Sequence, residues 1–139
     1  MSARTKARKR ALDILYSADV RQIPVEQALA TEAERAASEP AREGSWLYAR
    51  DIVDGVHDHS AEIDELIETY AQGWTLARMP AVDRAILRIG VWELVYNDEI
   101  PTGVAISEAV EAATVLSTED SSGFINGLLA KIAQTAPGS

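Results

Sequence analysis

No cysteine occurs in the 139 residues, so the chain offers no disulfide, no thiolate zinc site, no CxxC redox pair and no cysteine nucleophile. A reducing compartment is permitted, and the cytoplasm is the expected location. Histidine is nearly as scarce: His57 and His59 are the only two. On a helix they project about 200° from each other, so one helical face cannot clamp a metal with both. No metal and no cofactor are expected. No apolar run approaches the ~18 residues of a membrane span, and the basic N-terminus lacks the apolar stretch of a signal peptide. A soluble chain with no membrane partner follows. Glycine-rich phosphate cradles of the GxGxxG and P-loop types are missing, as is the GxSxG elbow of a serine nucleophile. Neighbouring carboxylates such as Asp64, Glu65 and Glu68 read as a solvated helix face, because nothing near them predicts burial or a shifted pKa. No catalytic residue is assigned, and the chain reads as non-enzymatic.

What is present is 47% hydrophobic residues and 25% charged ones, the balance of one globular domain spanning residues 1–139. Val, Ile and Thr never alternate in strand-like runs, so helix is the only sustained period. Ala11, Leu12, Ile14, Leu15 and Ala18 form the stripe of a first helix. Pro24 opens a second with Val25, Ala28 and Leu29, followed by residues 31–44, TEAERAASEPAREG, read as a mobile loop punctuated by Pro40 and Gly44. Ser45 is the expected cap of a third helix presenting Trp46, Leu47, Ile52, Val53 and Val56, and Ser60 that of a fourth with Ile63, Leu66, Ile67 and Tyr70, ended by Gly73. After Pro80 the run AVDRAILRIGVWELVYN is apolar around much of its circumference and reads as a central helix. Ala105, Ile106, Ala109, Val110 and Ala113 make a sixth. The polar STEDSSG, residues 117–123, then separates it from a last helix with Phe124, Ile125, Leu128, Leu129 and Ile132. Residues 135–139 read as a frayed tail. The expected fold is all-α, about seven helices in a compact antiparallel bundle arrangement.

Charge is distributed unevenly. Residues 1–10 hold Arg4, Lys6, Arg8, Lys9 and Arg10 with no acid (+5), while the rest has eight bases against 22 acids (−14), giving the net −9. A basic arm on an acidic body suits a polyanion at one end and a basic protein elsewhere. Long cationic side chains at a helix entrance neutralise phosphates without sequence choice. Base reading needs stacking or edge hydrogen bonds, for which the segment around Phe124 offers Ser121, Ser122 and Asn126. Phe124 reads more readily as the first core residue of the last helix than as a stacking platform.

The segments MPAVDRAILRIGVWEL (79–94), IPTGVAISEAVEAA (100–113) and LSTEDSSGFINGLLAKIA (116–133), with ARKRALDILYSADV (7–20) before them, resemble the NusB family of transcription antitermination factors. Order and spacing agree over nearly the whole chain, least between residues 21 and 45. The resemblance implies two small helical bundles and binding of single-stranded boxA RNA in ribosomal RNA leader transcripts. It also implies joint action with NusE, a ribosomal protein, in an antitermination complex on RNA polymerase. It assigns RNA contact to Arg4, Lys6, Arg8, Lys9 and Arg10, then to Asp120, Ser121 and Phe124, and protein-partner contact to Tyr70 and Asp83. The chain departs from the family pattern at Thr114 and Val115, and at Gly123, where lysines often stand. A lower RNA affinity is expected from those departures, each missing phosphate contact flattening the salt dependence by about 0.7 for single strands.

Two other classes compete. One is a helical protein-interaction module with little intrinsic RNA affinity; the other is the helical domain that precedes RNA methyltransferases, which this chain does not accompany with any Rossmann-like βαβ segment. A homodimer that hides a binding surface is left open, since amphipathic stripes look alike whether they face a core or a second copy.

Overall fold

The computed structural model describes residues 2–38 and 43–135. They form seven α-helices: α1 (Ala3–Arg21), α2 (Val25–Ser38), α3 (Glu43–Asp58), α4 (Ser60–Tyr70), α5 (Ala81–Tyr96), α6 (Thr102–Leu116) and α7 (Glu119–Thr135). A 3₁₀ turn at Leu76–Arg78 precedes α5. No strand occurs among the described residues, as the periodicity predicts.

Each boundary has a local cause. Ser2 caps α1 by accepting the Thr5 N–H at 3.0 Å, and Gln22 ends it in the left-handed region at φ 54°, returning its N–H to Ala18 and Asp19 carbonyls. The expected loop over residues 31–44 is instead helical through Ser38. Alanine and glutamate are strong helix formers, and a weak apolar stripe hid what propensity favours. Pro40 lies outside the described residues, and so do 136–139 of the expected tail. Ser45 is not the cap of α3: the helix begins at Glu43, and Gly44 and Ser45 stand in its first turn. Leu47, expected in the core, is 55% exposed, the buried stripe being Ala49, Ile52, Val53 and Val56. His59, not Ser60, precedes α4.

The start of α7 also differs from expectation. Only Ser117 and Thr118 separate it from α6, and the rest of STEDSSG is helical. Thr118 Oγ1 accepts the Ser121 N–H at 3.2 Å, an N-cap contact, and Glu119 and Asp120 sit in the first turn, where the helix dipole favours acids.

Helices α1–α3 pack together, as do α4–α7, and α5 touches both sets. One continuous apolar core runs through them. Close approach is bought by small residues: Ala105, Ala109 and Ala113 of α6 are buried, and a Cβ on Gly90 would come within 2.9 Å of Leu129. Gly55 of α3 lies against the Trp92 indole so closely that a Cβ would fall 1.9 Å from its Nε1. A second tie is ionic. Asp19 near the end of α1 accepts from Arg84 Nε at 2.8 Å, and Asp64 of α4 accepts from Arg88 Nε at 2.9 Å. No helix is long and apolar enough to cross a membrane among the described residues.

Candidate nucleic-acid interface

The basic run of α1 divides by helical geometry. At ~100° per residue, Lys6, Lys9 and Arg10 share a face about 100° wide, while Arg4 and Arg8 lie on the opposite side. Lys6 and Lys9 are exposed and Arg10 is half-buried. Arg4 stays half exposed, its guanidinium 5.5 Å from the Tyr48 ring centre and 3.7 Å from Glu99.

Arg8 is internal, which corrects its assignment as a surface phosphate contact. Only 9% of it is exposed. Its Nε donates to both Glu93 oxygens at 2.9 Å, its Nη1 lies 3.2 Å from Glu108, and its guanidinium sits 5.9 Å from the Tyr48 ring centre. The reason is visible in the spacing: Arg8, Leu12 and Leu15 fall on one buried stripe. Glu93, the buried carboxylate of α5, answers it at 1% exposure. Tyr48 of α3 donates its hydroxyl to the same carboxylate and accepts from Asn97 Nδ2 at 3.2 Å. Thr5 Oγ1 donates to Glu108 of α6 at 2.7 Å.

Electrostatics follow from that enclosure. Burial works against the Arg8 charge, but Glu93 and Glu108 outweigh it and the guanidinium is held above its ordinary pKa. Burial and the bond to Glu93 push the Tyr48 hydroxyl well above its ordinary value of 10.0. Sequence reasoning misses Tyr48, Glu93 and Glu108; the available signal is a lone carboxylate inside the apolar run IGVWELV of α5.

The second cluster lies at the α6–α7 turn. Asp120 is exposed and Phe124, one turn later on the same side of α7, is half-buried against the core. Phe124 thus packs against the core, as its core reading expects, and keeps an accessible part. Ser121 is corrected: it is 7% exposed, and its Oγ donates to Asp83 Oδ2 at 2.7 Å. Asp83 is corrected with it. At 4% exposure it also accepts from Ser117 Oγ at 2.6 Å, so this carboxylate is not the exposed acid expected but latches the α6–α7 turn to α5. Tyr70 is half-buried at the end of α4 and keeps an accessible part.

A groove of about 210 Å³ opens beside the first cluster. It lies between α1, α5 and α6 and runs from Thr5, Arg8 and Lys9 to Val115 and Leu116, just before the turn that precedes Asp120 and Phe124. Val115 is 70% exposed and Leu116 45%. No group of three or more His, Cys, Asp or Glu side chains is arranged to hold a metal among the described residues.

Comparison with known proteins agrees with this architecture. The sequence profile of the NusB family matches residues 5–134. A transcription antitermination protein NusB of Leifsonia xyli subsp. xyli is 82% identical over 137 residues, covering 99% of this chain and 95% of that protein. The solved structure of T. maritima NusB matches with a TM-score of 0.82 at 31% identity, over 97% of this chain and 93% of that one. A crystal structure of the antitermination factors NusB and NusE in complex with dsRNA holds a chain matching at 0.84 and 28% identity, over 96% of this chain and 98% of that one.

Proposed function

This chain belongs to the NusB family of transcription antitermination factors, and from that membership we propose that it binds boxA-type RNA of ribosomal RNA leader transcripts jointly with NusE. The pair then assembles on RNA polymerase. We read residues 1–139 as one non-enzymatic RNA-binding unit working in the cytoplasm. The observation that carries the reading is the outward face of α1, where Lys6 and Lys9 stand exposed with Arg10 half-buried beside them on an otherwise acidic molecule, Lys9 lining a groove that ends at Val115 and Leu116.

The roles differ by chemistry. The three outward cations neutralise phosphates, with Arg4 beside them as a looser contact. Phe124 offers a ring edge for stacking on an unpaired base, and Asp120 offers an acceptor for base-edge donors. Arg8 and Ser121 support the surface from beneath. On the protein side, Tyr70 is the proposed NusE contact, since an aromatic with an accessible part on an acidic body suits a basic ribosomal protein. Joining two weak surfaces raises the effective concentration of each component, so the pair binds RNA more tightly than either alone.

Fluorescence anisotropy of a labelled single-stranded boxA-type RNA, with and without the organism's NusE and against a scrambled RNA, tests this. Sequence-dependent binding that tightens with NusE is expected. Equal binding of both RNAs in both conditions would leave a helical protein-interaction module.

A further inference from the structure

Three helices converge on the buried face of the basic run of α1. Glu93 of α5 receives Arg8 Nε and the Tyr48 hydroxyl; Glu108 of α6 receives Arg8 Nη1 and Thr5 Oγ1; Asn97, just past α5, holds Tyr48 from behind. The Glu93 carboxylate is buried at a position that burial alone would give to an apolar residue. A buried ion pair adds little net stability over a well-packed apolar pair, and its best-attested use is to fix one arrangement among several.

We propose that Glu93 and Tyr48 are positioning residues for RNA recognition, holding the basic turn of α1 in one rotation through Arg8 so that Lys6 and Lys9 face outward, Lys9 at the rim of the groove that ends at Val115 and Leu116. This deepens, and rests on, the RNA-binding reading above. Rotation about the α1 axis is the quantity at stake. Because the outward face is only about 100° wide, a turn of one residue's worth would carry Lys6 or Lys9 off it. The buried stripe of Ala11, Leu12, Leu15 and Ala18 sets the rotation of the helix body; at its basic end the pair between Arg8 Nε and both Glu93 oxygens holds the angle, and Tyr48, bonded to the carboxylate with its ring centre 5.9 Å from the guanidinium, keeps the carboxylate in place.

The sign of one substitution separates positioning from charge. Glu93→Gln removes a negative charge from an RNA-binding protein, so electrostatics alone tightens every RNA. Positioning instead loosens the specific complex, which must meet the cations and Phe124 in one register, more than the scrambled one, which can shift along the cations to recover its phosphate contacts. Tyr48→Phe is electrically neutral and removes a single donor, so it serves where Glu93→Gln fails to fold.

Anisotropy titrations of boxA-type and scrambled RNA would be run on the full chain, with helicity and NusE binding measured on the same samples. The expected result is a 3- to 10-fold fall in the ratio of the two affinities for each folded variant, with NusE binding and the salt slope on scrambled RNA retained. A wild-type ratio retained by folded Tyr48→Phe, or boxA binding tightened by Glu93→Gln, overturns the positioning role while leaving the RNA reading intact. A wild-type protein that does not discriminate overturns both.

Discussion

Cations two residues apart in sequence have opposite fates, and substitution separates them. Arg8→Ala strips the partner from a carboxylate that is 1% exposed and is expected to cost about 3–5 kcal/mol of stability, as breaking buried pairs does; chemical denaturation measures it. Lys6→Ala leaves the denaturation midpoint where it is and lowers the slope of log affinity against log salt by about 0.7. An Arg8→Ala protein as stable as wild type would show that the pair is open to solvent. Tyr48 makes a pH prediction. Its folded pKa is raised above the ordinary 10.0, so its contribution is complete below pH 10 and is lost as pH climbs toward the folded value. Melting temperatures of wild type should therefore fall above pH 10, and Tyr48→Phe should remove that part of the fall. The sequence shows five bases in a run but not that one of them is a core residue. What distinguishes Arg8 is its i, i+4, i+7 alignment with Leu12 and Leu15 together with a carboxylate 85 residues away, and only the first half of that is local.

Among the elements, two glycines on helices make opposite predictions. Gly55→Ala places a methyl group 1.9 Å from the Trp92 indole nitrogen. Separation of α3 from α5 is then required, and a net loss of about 1–2 kcal/mol is expected after the gain in helix propensity is set against overpacking. Gly127 of α7 has nothing within 4 Å of an added Cβ, so Gly127→Ala should gain about 0.5–1 kcal/mol from backbone entropy. Thermal melts of both read the contrast, and a stabilised Gly55→Ala would refute the tight α3–α5 seam. The same scale shows what patterning reveals. Helices α1, α4, α5 and α6 carry apolar stripes strong enough to place them within a few residues. Helix α2 runs on past Leu29 because Ala and Glu favour helix without marking a buried face, and α7 begins early because Thr118, Glu119 and Asp120 are start signals in a segment whose polarity resembles a loop. The Asp83 latch on Ser117 and Ser121 depends on how α5 meets the α6–α7 turn, which no local pattern contains.

At the level of the whole molecule the charge asymmetry decides how RNA approaches. The body beyond residue 10 carries −14, so favourable encounter is confined to one end and weakens steeply with salt. With Arg8 withdrawn, three cations on the outward face and the looser Arg4 should give a salt slope for single-stranded RNA of about 2–3, where five independent cations would give about 3.5. A measured slope near the larger value would mean that Arg4 and Arg8 leave their carboxylates when RNA binds.

Synthesis gives the Arg8–Glu93 pair a further meaning. The cationic arm is made before its carboxylate partners, Glu93 following Arg8 by 85 residues; at ~5–20 residues per second the interval is roughly 4–17 s. Tyr48 arrives midway and can shield the guanidinium, but neither carboxylate that neutralises it exists until most of the chain does. The nascent arm therefore spends that time uncompensated beside a ribosome that is itself largely RNA, and becomes a fixed recognition surface only when the central helix has been made.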